Sequence, residues 1–185
     1  ENPTTEDVQR GAQAVSDFSP DLLVGLGGGS SMDCAKGINF LVSGGGRMQD
    51  YWGVGKAKNA MLPMIGVPTT AGTGSETTGV SIFDLTAMHA KTGIANRRLK
   101  PTLGLLDPDN TRTMPAAVAA SSGLDILSHA IESFTAVPYT ARPRPDRPAV
   151  RPAYQGSNPI SDVWSLQALR MVARSLVRAV EDPEN

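Results

Sequence analysis

The sequence predicts an α/β domain followed by an all-helical domain. Two apolar runs each lead directly into a turn rich in glycine and hydroxyl side chains, as strands do at the carboxyl edge of an open α/β sheet. After Pro115, apolar residues at helical spacing replace the strand pattern. We therefore place a domain change near residues 108–115, between an α/β part over 1–110 and a helical part over 111–185.

The composition disfavours several classes of partner. The 185 residues are 40% hydrophobic, and 17 basic against 18 acidic residues give a formal net charge of −1. A near-neutral chain has no strong field to attract nucleic acid or an anionic membrane, and no apolar run approaches the ~20 residues of a membrane span. We expect neither partner, and a cytoplasm-like location. The single cysteine, Cys34, excludes an internal disulfide and a cysteine-rich zinc site.

The elements of the α/β part follow from local patterns. Helical spacing predicts a helix over 5–18, which Thr4 or Thr5 can cap after Pro3. A second helix is predicted over 32–42. Strands are predicted over 21–26, 63–68, 80–83, 92–95 and 102–106.

The helical part contains two predicted helices, over 116–136 and 159–180. Asn158 can cap the second helix, and Pro159 suits its first position. The segment 137–158 between them holds five of the 14 prolines and four arginines, so it cannot be a helix interior. We interpret it as a solvated loop.

The glycine turn 27–30 follows the first strand. Its backbone N–H groups, with Ser30 as the predicted N-cap, face whatever lies above the helix N-terminus, where a diphosphate would bind. The match to the dinucleotide fingerprint G-x-G-x-x-G is incomplete, because Met32 stands where the last glycine would be. Phosphate binding and a plain tight turn both fit this pattern.

A second turn, 69–75, follows the next apolar strand and is rich in Thr, Gly and Ser. It fits a ligand-binding sheet edge, with a solvated loop as the alternative. Neither Ser30 nor Ser75 lies in G-x-S-x-G, so an α/β-hydrolase is not supported.

Asp125 and His129 are four residues apart on a predicted helix, so they share one face and could bind one metal ion. A surface interaction or a satisfied core histidine explains the same spacing. The other histidine is His89, so the sequence does not supply a closed metal site.

Three motifs together, GGGSSMDCAK at 27–36, PTTAGTGSE at 68–76 and GLDILSHAIE at 123–132, resemble the iron-containing (group III) alcohol dehydrogenase family. Residues 100–105 and 151–162 are similar to its hydroxyacid-oxoacid transhydrogenase branch. The resemblance implies a Rossmann-like NAD-binding domain, then an all-helical metal-binding domain. It also implies NAD and a divalent metal, with iron favoured over zinc.

The resemblance also implies roles for individual residues. Gly28, Gly29 and Ser30 would hold the diphosphate, while Asp33 would brace the turn. The other implied cofactor residues are Thr69, Thr70, Thr73 and Ser75 along the adenine and ribose side or the diphosphate, and Lys91 at the nicotinamide ribose. Asp125 and His129 would be the first two metal ligands.

Family members carry two further histidine ligands downstream and an additional first strand, so we expect this chain to be a central portion of a longer enzyme. The implied reaction transfers hydride between a hydroxyacid resembling 4-hydroxybutyrate and an oxoacid resembling 2-oxoglutarate. The alternatives are a simple NAD-dependent alcohol or 4-hydroxybutyrate dehydrogenase, a related metal-dependent synthase acting on a sugar phosphate, and a non-catalytic nucleotide-binding fragment. We expect a small alcohol or hydroxyacid as substrate and a homodimer, located in the bacterial cytoplasm or, in a eukaryote, the mitochondrion.

Overall fold

In the computed structural model, which describes residues 2–51, 53–54, 59–152 and 154–181, helices and strands alternate up to Thr111 and only helices follow. One unit consists of residues 1–70 with 74–111, and a second consists of 71–73 with 112–185. The α-helices of the described residues are α1 Thr5–Phe18, α2 Gly29–Gly44, α3 Ala116–Thr135 and α4 Pro159–Glu181. The strands are β1 Leu23–Gly27, β2 Gly53–Val54, β3 Met64–Pro68, β4 Val80–Leu85, β5 Ala90–Ala95 and β6 Leu103–Gly104.

The first sheet has the order β1-β3-β6, and both strand pairs are parallel. Gly27 lies opposite Pro68, so β1 and β3 end side by side. β6 is shorter than the predicted strand 102–106, because only Leu103 and Gly104 pair with β3 before the chain turns away towards Pro108. This parallel sheet with its helices confirms the predicted Rossmann-like α/β class.

The second sheet has the order β2-β5-β4, with β4 and β5 antiparallel. Both are longer than predicted, because the polar segment between them forms a tight connection in which His89 adopts a left-handed conformation with φ 47°. Continued pairing up to Leu85 opposite Ala90 extends the hairpin.

Helix α1 begins with the predicted N-cap, Thr4. The Asp7 amide donates to Thr4 Oγ1 (3.1 Å), and the Thr4 amide donates to Asp7 Oδ2 (3.0 Å), which forms a capping box. The Thr4 hydroxyl also donates to Asp7 Oδ2 (2.7 Å), and this bond together with the one from the Thr4 amide lowers the pKa of Asp7. Val8 and Ala12 of this helix are buried.

The core of the first unit lies among α1, α2 and the second sheet. Its buried side chains are Val8, Ala12, Phe40, Leu41, Met48, Phe83, Ile94 and Leu99. A Cβ on Gly37 would lie only 2.9 Å from the Phe83 ring, so glycine lets α2 approach β4 closely. Cys34 is half-buried against this cluster, and burial raises the pKa of its thiol.

The second unit is built from α3 and α4, which pack on each other. Asn158 Oδ1 accepts from the amides of Ile160 (3.1 Å) and Ser161 (3.0 Å), and α4 starts at Pro159, which confirms the predicted start of this helix. Described residues of 137–158 form only short 3-10 turns, and their four arginines are exposed. None of the helices in the described part of the chain is both long and apolar enough to cross a bilayer.

Candidate functional site

The two small-residue turns meet at one edge of the first sheet, as their sequence pattern predicts. The Thr69 amide donates a 3.0 Å hydrogen bond to the Gly27 carbonyl, which continues the pairing of β1 with β3. A Cβ on Gly28 would lie 3.2 Å from Cγ2 of Thr70. The carboxyl ends of β1 and β3 are therefore bordered by both turns.

The N-terminus of α2 is suited to an anion. The N-cap is Gly28 and not the predicted Ser30, because Gly27, with φ 140°, turns the chain into the helix immediately after β1. The first helical hydrogen bond runs from the Met32 amide to the Gly28 carbonyl, so the amides of 29–31 precede the intrahelical ladder. Within the described chain no side chain caps this end, and the first turn has no acidic residue. These amides and the helix dipole fit a diphosphate.

Asp33 lies one turn further along α2 and connects it to the second turn and to β4. Its Oδ1 accepts from Ser75 Oγ (2.6 Å), and its Oδ2 accepts from the Ile82 amide (3.0 Å). Ser81 Oγ donates to the Asp33 carbonyl (2.6 Å). Asp33 thus connects α2 to Ser75 and to β4, and its role in bracing the glycine turn stays a prediction.

Lys36 is the functional candidate that the sequence reasoning missed. Its side chain is fully buried, and Nζ donates to Ser75 Oγ (2.7 Å) and to the Val80 carbonyl (2.8 Å). A longer bond reaches Thr78 Oγ1 (3.3 Å), and Asp33 Oδ1 lies 3.7 Å away. Burial lowers the pKa of Lys36 to about 8, although Asp33 and Glu76 act in the opposite direction. The Asp-x-x-Lys spacing on a helix was visible, but its burial depends on the tertiary fold.

The remaining predicted cofactor residues occupy different surroundings. Thr69 and Thr70 are half-buried beside the glycine turn, whereas Thr73 is exposed and belongs to the second unit. Ser75 is buried, and its hydroxyl binds Asp33 and Lys36. Lys91 is exposed on β5, opposite Asp84 in the second sheet. The cofactor roles of these residues stay predictions.

The predicted metal pair lies on α3. Asp125 Oδ1 and His129 Nε2 are 3.8 Å apart, with side-chain exposures of 40% and 55%. Metal–oxygen and metal–nitrogen bonds of about 2.1 Å each span up to ~4.2 Å, so one ion can contact both atoms. Over the described ranges, no three His, Cys, Asp or Glu side chains form a possible metal group. The two donors fit part of a divalent-metal site.

Comparison with known proteins decides the family. The family model for iron-containing alcohol dehydrogenase matches residues 1–108. The chain belongs to the iron-containing alcohol dehydrogenase family. This confirms the family assigned from the three motifs.

Among relatives of the chain, the mitochondrial hydroxyacid-oxoacid transhydrogenase of Xenopus tropicalis is 55% identical over 89% of the chain, and the human one is 48% identical over 99%. The chain spans 37% and 41% of their lengths. A solved 1,3-propanediol oxidoreductase matches the whole chain with a TM-score of 0.86 at 32% identity. A sulfoacetaldehyde reductase from Bifidobacterium kashiwanohense, solved in complex with NAD+, matches with 0.82 at 32% identity. Each of these two matches includes 100% of the chain and 44% of the solved protein's chain.

Proposed function

We propose that the protein is an NAD- and metal-dependent oxidoreductase that transfers hydride between a hydroxyacid resembling 4-hydroxybutyrate and an oxoacid resembling 2-oxoglutarate. The observation that carries this proposal is the 48–55% identity to relatives named hydroxyacid-oxoacid transhydrogenase, over 89–99% of the chain. A simple dehydrogenase in the same family would share the fold and the metal pair, so the oxoacid requirement is the distinguishing property.

Residues of the first unit would hold the dinucleotide. The amides of Gly29 and Ser30 and the Cβ-free Gly28 would bind the diphosphate at the N-terminus of α2. Thr69 and Thr70 border the same sheet edge and would offer hydroxyl groups to the adenine and ribose side or to the diphosphate. Thr73 and Ser75 would likewise line the adenine and ribose side or the diphosphate, and Lys91 would reach the nicotinamide ribose, as the family motifs imply.

Residues of the second unit would hold the metal. The Asp125 carboxylate and the His129 imidazole would bind it through Oδ1 and Nε2. A metal held there would supply Lewis-acid polarisation of the substrate oxygen, and bound NAD would supply the hydride acceptor and donor. Iron is the favoured metal because the family is named for it, and NAD is favoured because a structural relative was solved with NAD+. The first unit is accordingly proposed as the NAD-binding domain and the second as the start of the metal-binding domain.

The proposed substrate class and oligomeric state are those that the family motifs imply. The substrate is a small alcohol or hydroxyacid, and the protein forms a homodimer. The relatives are named as mitochondrial, so a mitochondrial location is proposed for a eukaryotic source and a cytoplasmic one for a bacterial source.

The test is direct tracing of the hydride. The protein, loaded with Fe²⁺ and NAD, is incubated with 2-oxoglutarate and 4-hydroxybutyrate deuterated at the alcohol carbon. Oxidation of the alcohol carbon to an aldehyde releases a proton and a hydride, and reduction of the keto carbon consumes both. We expect deuterium at the carbinol carbon of 2-hydroxyglutarate without accumulation of NADH.

Other results of this experiment would contradict the proposal. NADH released in step with alcohol loss, without any oxoacid, would identify a simple dehydrogenase. Turnover of a phosphorylated sugar would indicate the related synthase chemistry. NADH binding without turnover of either substrate would indicate a non-catalytic nucleotide-binding protein.

A further inference from the structure

The buried Lys36 joins α2 to the segment that follows the second turn. We propose that Lys36 is a positioning residue, which holds residues 75–82 against α2 so that the dinucleotide-binding edge keeps the geometry needed to bind NAD. This proposal rests on the proposed function, because it assumes that the edge bordered by Gly28 and Thr70 binds the cofactor. Lys36 itself touches no cofactor in this proposal.

The contacts of Lys36 all point to one segment. Its ammonium donates to Ser75, Thr78 and Val80, three residues within six positions of one another, from a rigid 16-residue helix. All three N–H donors of an ammonium group therefore have an acceptor. Because a charged amine is costly to bury, full burial with this complete set of acceptors indicates a constrained structure and not a surface lysine covering apolar area.

Asp33 closes the same network. The Ser75 hydroxyl donates its proton to Asp33, so the Ser75 oxygen is left to accept from Lys36, and the direction of both bonds is determined. Asp33 also accepts from the Ile82 amide, which extends the connection into β4. Lys36 and Asp33 thus hold both ends of the segment 75–82.

The network lies close in sequence to the groups that would bind the cofactor. Asp33 and Lys36 lie five and eight residues after Gly28, the N-cap of α2, and Ser75 ends the turn that begins with Thr69. Loss of the Lys36 contacts would release residues 75–80 from α2, so the second turn would be held at its Thr69 end, by β3, more firmly than at its Ser75 end. The expected consequence is weaker NAD binding with an unchanged metal pair, because Asp125 and His129 lie on α3.

A charge effect accompanies the geometric one. The ionisable groups that face Lys36 are Asp33 from α2 and Glu76 from the turn after β3, and both are acidic. Deprotonation of Lys36, whose pKa is about 8, would leave these carboxylates uncompensated near a site for an anion. We therefore expect the Kd for NADH to rise as the pH increases through about 8.

The test measures the Kd for NADH by its fluorescence, from pH 6.5 to 9.5, together with Zn²⁺ affinity as a readout of the other unit. Lys36→Met should weaken NADH binding at pH 7 about tenfold or more, since a buried charged hydrogen-bond donor is lost, and should abolish the pH dependence near 8. Thr78→Val removes one acceptor of Lys36 at a residue without an assigned cofactor role and should weaken binding about twofold or more. Lys100→Met, at an exposed lysine, is the matched control and should bind NADH as the wild type does.

Each result has a defined meaning. Wild-type NADH affinity with an unchanged pH profile in Lys36→Met would overturn the positioning role. If Lys36→Met does not fold, Thr78→Val decides, and unchanged NADH affinity in that variant overturns the proposal. If the wild type itself binds no NADH, both this inference and the proposed function are wrong, whereas failure of Lys36→Met alone to change binding leaves the proposed function intact. If Lys36→Met lost Zn²⁺ affinity together with NADH affinity, the variant would be generally unfolded. That result would also overturn the positioning role.

Discussion

Oδ1 of Asp125 lies 3.8 Å from Nε2 of His129, one turn further along α3. The two atoms are close enough for one metal ion, and both side chains are partly exposed, so an ion can reach them without displacing core residues. Two donors form an incomplete coordination sphere. The affinity of the pair therefore depends strongly on each donor.

Asp125→Asn and His129→Ala are expected to lower metal affinity at least about tenfold, since even indirect partners of a metal ligand contribute 10–100-fold. Zn²⁺ titration by calorimetry and metal content by mass spectrometry measure the effect. Glu132→Gln, an exposed carboxylate on the same helix, is the control and should bind metal normally. Full metal content in Asp125→Asn would remove this residue from the proposed site.

Gly28→Val is expected to weaken NADH binding about tenfold or more while the protein stays folded. A Cβ at Gly28 would already lie 3.2 Å from Thr70 Cγ2, and the Val methyl groups would add bulk where the proposed diphosphate approaches the backbone. Any residue can adopt the backbone conformation of Gly28, which has φ −74°. A loss of NADH affinity in Gly28→Val would therefore come from steric exclusion of the cofactor and not from backbone strain.

Fluorescence titration with NADH measures the effect of Gly28→Val, and thermal unfolding checks the fold. Gly104→Ala, whose Cβ would make ordinary contacts of 3.4 Å or more, is the matched glycine control. Wild-type affinity in Gly28→Val would place the diphosphate elsewhere.

The stability of the protein should depend on pH through Lys36. Its pKa is about 8 in the folded protein, whereas a lysine in the unfolded chain has the ordinary value of 10.5. Between these two pH values the unfolded chain therefore binds more protons than the folded protein. The free energy of unfolding then rises with pH, by at most about 1.4 kcal/mol per pH unit. Urea unfolding of the wild type and of Lys36→Met measures the difference. We expect the free energy of unfolding of the wild type to rise relative to that of Lys36→Met between pH 8 and about 10.5. A constant or falling difference over this range would contradict the burial of a charged lysine.

Gly79→Ala is expected to destabilise the first unit by about 1–3 kcal/mol. A Cβ at this position would lie 2.5 Å from the backbone carbonyl oxygen of Asn96, which cannot move without disturbing the pairing of β4 with β5. Gly104→Ala serves again as the control. Chemical denaturation measures the loss, and unchanged stability in Gly79→Ala would mean that the hairpin is looser than its hydrogen bonds indicate.

Local chemistry made several features predictable. Thr4 caps α1 and Asn158 caps α4, because a capping side chain bonds to amides within three residues and needs no distant partner. The two small-residue turns also fall at one edge as predicted, since strands that run parallel must end on the same side. Ser30 failed as the N-cap because the choice among adjacent glycines and serines depends on where β1 ends.

The sequence by itself determined the family, the order of strand, turn and helix, and the one-turn spacing of Asp125 and His129, since each depends on residues that are near one another in the chain. Only the tertiary structure decided that Lys36 is buried and that Ser75 binds Asp33, 42 positions away. It also decided that Lys91 lies on a second sheet. The physical reason is that burial and the pKa of Lys36 are determined by groups brought together by strand pairing and helix packing, which no local pattern specifies.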